Sequence, residues 1–260
     1  MTMLQGRRVP ALRALGVVVG VAVVAIVALW LADLLTPTTR TERTFTMAPG
    51  ASRLSVEVGN GAVRLTSTDS DLLQVHRTVT HGWREPGIEE RSDGSGAAIT
   101  AHCPTLFARG CDIGYEIAVP RGFAVDLRAD SGDLDIRGVT AQSLRTDVSS
   151  GRTTLVDVAG SVEMRSSSGS ISATGLSSAD LTADVSSGST SLDFAAAPSA
   201  VTVSASSGNV ILRLPVSEGP YRVRADSSSG REQVDVPVNP ASPRTVTVTV
   251  SSGDVQVLPR

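Results

Sequence analysis

Ser143–Gly169 reads SLRTDVSSGRTTLVDVAGSVEMRSSSG, and two Ser-Gly corners eighteen residues apart, at Gly151 and Gly169, frame one repeating unit. The same corner recurs at Gly132, Gly188, Gly208, Gly230 and Gly253, giving successive steps of 19, 18, 19, 20, 22 and 23 residues. In all seven cases the preceding residue is serine: Ser131, Ser150, Ser168, Ser187, Ser207, Ser229 and Ser252. A fixed period of this length is the signature of a solenoid or repeat array.

Apolar residues flank each corner with a period of two, the alternation of a half-buried strand. Seven residues before the glycine stand Val125, Leu144, Val162, Leu181, Val201, Val223 and Val246; four after it stand Ile136, Leu155, Ala173, Leu192, Leu212, Val234 and Val257. Each unit therefore reads as strand, Ser-Ser-Gly turn, strand, loop. Glycine suits the corner because a sharp turn between strands asks for positive φ, and the serine hydroxyls are expected to bond the turn backbone and the next rung.

The outward positions set how units stack. Arg128, Asp147, Arg165 and Asp184 occupy one offset in successive units, and Asp126, Arg145 and Glu163 another, so charge sign alternates along the array. Asp193, Arg213 and Asp235 alternate likewise on the other arm. In a parallel, in-register stack such residues sit about 4.8 Å apart, where opposite charges attract and like charges repel. Each exposed pair contributes only about 0.2–1 kcal/mol, so the alternation specifies register more than stability.

Leu54, Val56, Val58, Gly59-Asn60-Gly61, Val63 and Leu65 form an eighth, degenerate unit about Gly61. The fold expected is an all-β parallel solenoid over residues 47–260, with an insertion at 66–122 between the first unit and the rest. Strands are expected there at Leu73–Thr80, Ala97–Ala101 and Tyr115–Val119, with a loop from Gly82 to Gly96.

Ahead of the repeats, no charge interrupts residues 14 to 32, an apolar run preceded by Arg7, Arg8 and Arg13. A helix of that length spans about 30 Å, the thickness of a bilayer core, and the flanking arginines predict a cytoplasmic N-terminus. The apolar core is longer than that of a signal peptide and no Ala-x-Ala triplet follows it. The organisation expected is a cytoplasmic stretch (1–13), an uncleaved single-pass anchor (14–35), a polar linker (36–46) and an extracytoplasmic solenoid. Export agrees with the two cysteines, Cys103 and Cys111, which are expected to form a disulfide worth about 2.5 kcal/mol on the chain-entropy model.

A net charge of −3 and a pI near 5.6 offer no electrostatic case for nucleic acid. No Gly-x-Ser-x-Gly elbow, His-Glu-x-x-His pair or phosphate loop occurs, and no catalytic residue, metal or cofactor is expected. His76, His81 and His102, with Glu85, Glu89 and Glu90 nearby, read as unrelated surface groups. Asp130, Asp133 and Asp135 cluster at one corner as a polysaccharide-cleaving β-helix would require. Later units carry other residues at these offsets, and Arg128 and Arg137 stand ready to pair with the acids. Aromatic residues are only 3% of the chain and gather in or beside the insertion; Trp83, Phe107 and Tyr115 are the expected contact surface, on loops held by a rigid scaffold, or else rings that cap an exposed end of the stack.

The run YEIAVPRG at Tyr115–Gly122, followed by ADSGDLDI and DVSSG and preceded by the Cys-Pro to Cys loop, resembles the bacterial putative adhesin domain family, of unknown function, found in membrane-anchored envelope proteins. The resemblance covers about Phe45 to Arg260. It implies a β-solenoid and supplies no catalytic residues. Together these readings predict a non-enzymatic envelope or surface module at the cell membrane, binding a cell-wall polymer or a protein partner. The alternatives are an accessory or sensor of an envelope-stress system and a polysaccharide-cleaving enzyme. The β-branched run Val246–Val250 is expected to be an open edge through which the chain self-associates.

Overall fold

A computed structural model describes residues 17–28, 37–105 and 110–260. Strand β1 (Thr39–Met47) is followed by β2 (Arg53–Asn60) and β3 (Val63–Thr68), the two arms about Gly61. Next come β4 (Leu73–His81), β5 (Gly87–Asp93), β6 (Gly96–His102) and β7 (Asp112–Pro120). β8 (Ala124–Ser131) and β9 (Leu134–Arg137) flank Gly132, whereas β10 (Thr140–Val156) and β11 (Ala159–Leu176) run unbroken through their corners. The remaining units pair β12 (Asp180–Ser187) with β13 (Thr190–Phe194), β14 (Ala200–Ser207) with β15 (Val210–Leu214), β16 (Arg222–Ser229) with β17 (Glu232–Val234), and β18 (Thr245–Ser252) with β19 (Val255–Pro259).

The stack is parallel and in register, as the charge alternation requires. Asp147 faces Arg128 on one side and Arg165 on the other, and Arg165 faces Asp184. Arg145 reaches Glu163 at 3.3 Å and Arg165 reaches Asp184 at 3.9 Å. Inward residues form continuous columns: Leu127, Thr146, Met164, Ala183, Val203 and Val248 are all fully buried. Burial of such side chains contributes roughly 1.5–3 kcal/mol each, far above the surface pairs, so the columns hold the stack together. A narrow third side closes each rung, with Val139, Val158 and Leu176 buried and Ala159 bridged to Ser177.

Positive φ accounts for only part of the corner glycines. Gly61, Gly151, Gly188, Gly208 and Gly253 adopt it, but Gly132, Gly169 and Gly230 do not. All eight share a different constraint: a Cβ on any of them would meet the backbone of the adjacent rung well inside 3.0 Å, Ile113 for Gly61 and the neighbouring corner glycine for the other seven. The corners stack backbone on backbone, leaving no room for a side chain.

Several expectations are corrected. The supposed linker contains β1, an outermost strand that pairs antiparallel with β4 from Thr39–His81 to Met47–Leu73. Its threonines suit a strand and its polar character suits a sheet edge, while Met47 turns into the core. The insertion is part of the solenoid. β6 stacks parallel on β2 and β7 on β3, so this segment adds a rung whose corner is the Cys103–Cys111 loop. The expected loop 82–96 contains β5, and β5 and β4 run antiparallel to β6 and β7, forming a reversed rung over the end.

At the other end the last two units exchange places. β18 lies between β14 and β16, and β19 between β15 and β17. The run Val246–Val250 is therefore interior and not an edge, and Arg213 faces Leu258 in place of Asp235. Burial explains the order. The inward Val246, Val248 and Val250 are at most 1% exposed, whereas β16 places Val223, the smaller Ala225 and the polar Ser227 at these positions, all only half-buried.

Residues 17–28 form a helix whose valines are exposed. Among the described residues no helix is long and apolar enough to cross a membrane; the segment expected to span, 14–35, extends beyond the described residues on both sides.

Candidate functional site

The corners line up along one edge of the solenoid, and their serines form a ladder. Ser131, Ser150, Ser168, Ser187, Ser207, Ser252 and Ser229 occupy consecutive rungs in register, with Asn60 before Ser131. All are exposed, as are the serines one position earlier, Ser149, Ser167, Ser186, Ser206, Ser251 and Ser228. The expected hydroxyl bonds to the turns are not what these side chains make. Among the described residues, the serine hydroxyl reaching a neighbouring corner is that of Ser227, donated to the Gly253 carbonyl at 2.8 Å. Adjacent rungs of a sheet repeat every 4.7–4.9 Å, so the edge presents two rows of hydroxyls at that spacing. Beside them, Asp147, Arg165 and Asp184 border a shallow groove of about 390 Å³ that also takes in Ser167, Ser186, Ser206 and Ser251.

The ladder ends at the disulfide corner. Cys103 and Cys111 are bonded, with Cα atoms 5.9 Å apart. Because His81 and Gly87 bound one turn while His102 and Asp112 bound the other, and Thr80 pairs with Asp112 and Gly87 with His102, the ends of the Trp83 turn lie beside the ends of the segment that the Cys103–Cys111 bond closes. Trp83 is 60% exposed. Phe107 lies outside the described residues.

Tyr115 is not a surface residue. Its ring is fully buried, and its hydroxyl donates to Glu90 Oε1 at 3.1 Å. Glu90 in turn binds Arg77 at 2.8 Å, with both side chains largely buried. Burial, and then the Glu90 carboxylate, push the phenol well above its ordinary pKa. This Arg77–Glu90–Tyr115 cluster lies at the N-terminal end of the core. Glu90, read from the sequence as a surface acid because its strand looks like a polar loop, is instead largely buried here.

The acidic corner is held in ion pairs and turn bonds. Asp135 uses one oxygen for Arg137 at 2.7 Å and the other for Arg64 at 3.5 Å, and Arg64 also binds Glu116 at 2.9 Å. Asp133 accepts the Arg152 backbone N–H at 2.8 Å, and Asp130 is exposed. Arg64, Glu116, Asp133, Asp135 and Arg137 line a groove of about 370 Å³, and Asp130 lies outside it. The histidines are dispersed in local contacts: His76 Nδ1 meets the Thr44 hydroxyl at 2.9 Å and His81 Nδ1 meets the Gly82 carbonyl at 2.9 Å, while His102 packs against Gly59 and Gly87.

Among solved structures, the chain is similar to a putative adhesin from Bacteroides fragilis at 12% identity, over 85% of this chain and 97% of that one, with a TM-score of 0.46. It is similar to a putative cell adhesion protein from Clostridium sporogenes at 11% identity, over 85% and 100%, with a TM-score of 0.36. A putative lipid binding protein from Parabacteroides distasonis aligns at 10% identity over 84% and 96%, with a TM-score of 0.30. No curated protein matches the sequence. Residues 121–258, which hold the seven Ser-Gly corners, match the Toastrack DUF4097 model, and the chain belongs to that family.

Proposed function

We propose that this protein is a membrane-anchored, non-enzymatic module of the cell envelope whose serine edge binds a cell-wall polymer. The observation that carries this reading is the in-register, exposed ladder of serine pairs running along one edge to the Trp83 and disulfide turns. A polymer with hydroxyl and amide groups can exchange hydrogen bonds with such rows at many points. Each contact is weak, but linked contacts raise one another's effective concentration, so avidity grows with the number engaged. Trp83, 60% exposed at the end of the row, adds an aromatic side chain with a polar N–H handle. Anchoring rests on the uninterrupted apolar run 14–32 behind Arg7, Arg8 and Arg13 and on the exposed valines Val17, Val18, Val21 and Val24. A lipid interior would cover them.

Co-sedimentation of the purified protein with cell-wall sacculi tests the reading. Saturable binding is expected, reduced several-fold in Trp83→Ala and in the combined Ser168→Ala, Ser187→Ala, Ser207→Ala variant. Binding that ignores both changes, or no binding, would turn the search toward a membrane-protein partner. Turnover of a uronic-acid polymer that disappears in Asp133→Asn/Asp135→Asn would replace the binding reading with the enzymatic one.

A further inference from the structure

Several features distinguish the rung formed by β16 and β17. Over Arg222–Ser229, β16 is paired on one side only, with β18; Tyr221 just before it bonds on the outward side to Pro237 and Asn239 of its own loop. The Arg222 N–H donates toward that neighbour, to the Arg244 carbonyl at 2.8 Å, so the alternation of the ladder turns the N–H and C=O groups of Val223 and Ala225 outward. Val223 and Ala225 are only partly buried against the core. Three of the exposed large hydrophobic residues, Val216, Val234 and Val238, at 37%, 38% and 52% exposure, belong to this rung or its flanking loops.

The charges point the same way. Arg224 and Asp226 face Thr247 and Thr249 on β18, and among the described residues neither forms an ion pair. Elsewhere an arginine and an acid two residues apart on one strand do pair, as in Arg128–Asp126 at 2.8 Å and Arg165–Glu163 at 2.7 Å. The N-terminal edges are satisfied in this way, through Arg40–Glu42 and Arg91–Glu89.

We propose that the β16 edge pairs with β16 of a second copy of this chain, antiparallel, in a two-fold register centred on Ala225. That register sets Arg224 opposite Asp226 twice, once on each side of the axis, on a shared outer face where opposite charges attract. Val223 then meets Ser227, and the outward backbone groups pair. Centring on Arg224 or Asp226 would set like charges face to face, and centring on Val223 would set Arg222 against Arg224. The strand is self-complementary in one register, which makes a second copy the fitting occupant. In the free chain the Glu232 carboxylate accepts the Ser227 N–H at 2.6 Å, covering one outward donor; pairing displaces it. The contact is end to end, so the N-terminal ends of the two copies lie at the far extremes of the dimer.

Full-length Ala225→Cys protein in detergent, oxidised and run without reductant, tests the register directly. A disulfide-linked dimer is expected, because facing Cα atoms in such a pair lie within disulfide reach. Arg224→Asp in that background should lose the dimer, and Arg224→Asp with Asp226→Arg should restore it. Glu232→Ala should increase it. Failure of Ala225→Cys to cross-link would overturn the proposal. So would equal cross-linking from Thr202→Cys on the outer face of an interior rung, or a dimer indifferent to the charge changes.

Discussion

At its N-terminal end the solenoid is closed by a rung that runs against the stack. β4 and β5 reverse direction, Arg77 and Glu90 meet over the core, and Tyr115 joins them through its hydroxyl. At its C-terminal end, β16 and β17 keep the parallel direction, with inward residues half-buried and Arg224 and Asp226 without an ion-pair partner among the described residues. A repeat array must cover its last core layer, since each unit can bury only what a neighbour meets. One end here does so with a reversed rung, a disulfide and a buried ion pair. The other uses a lesser covering: Tyr221, buried, with its hydroxyl on the Pro215 carbonyl at 2.6 Å, and a proline-bearing loop that returns the chain to β18. Closure at one end and availability at the other are consistent with an oriented molecule.

Matched glycine substitutions should separate the ends most strongly. Gly61→Ala forces a Cβ against the Ile113 backbone at a positive φ, on a rung clasped from both sides; it should cost about 4 kcal/mol or prevent folding. Gly230→Ala meets Gly253, but on a terminal rung free to shift outward, and should cost about 1 kcal/mol. Denaturant titration of the two variants reads the difference, and equal losses would erase the contrast between the ends.

Glu90→Ala leaves the Arg77 guanidinium and the Tyr115 hydroxyl without their partner in a largely buried place. Breaking a buried pair by removing one member costs about 3 kcal/mol, visible as a lower denaturation midpoint. A loss under about 0.5 kcal/mol, the scale of a surface substitution, would mean that water already reaches this end.

Alkali should give the most gradual effect. Burial raises the Tyr115 and Tyr221 phenols above their ordinary values, and at Tyr115 the Glu90 carboxylate adds to it. Above the unfolded value of about 10 the unfolded chain releases a proton that the folded chain retains, so stability falls as pH rises through that range. Tyr115→Phe should remove its share of that slope, and Tyr221→Phe the other. If only the Tyr115 share exists, the C-terminal covering is looser than its buried ring indicates.

Much of the middle of the molecule was legible in advance. Val125, Leu144, Val162 and Leu181 declared the core face, the alternation of Arg128, Asp147, Arg165 and Asp184 declared the register, and Cys103 and Cys111 declared their bond. Tyr115 was misread as a surface ring because an aromatic beside a loop looks the same whether it points inward or out. β5 was missed because IEERSD shows no apolar alternation; its partner strand and Glu90's contacts decide its conformation. The serine edge was visible as a repeat, but its exposure was not, since a hydroxyl that bonds its own turn and one that faces water carry the same letter.

Amino-acid order alone determined the unit, its corner and its parallel stacking, because strand periodicity and corner chemistry are local and repeat. Only the tertiary structure decided which rung lies next to which. β2 and β3 sit inside the stack with β6 and β7 beyond them, and β18 and β19 displace β16 and β17 to the end. Local pattern records which side of a strand is apolar but not which neighbour covers it, and that choice falls to competition between rungs for the most completely buried place. Val246, Val248 and Val250 win that competition over Val223, Ala225 and Ser227 because they bury more apolar surface.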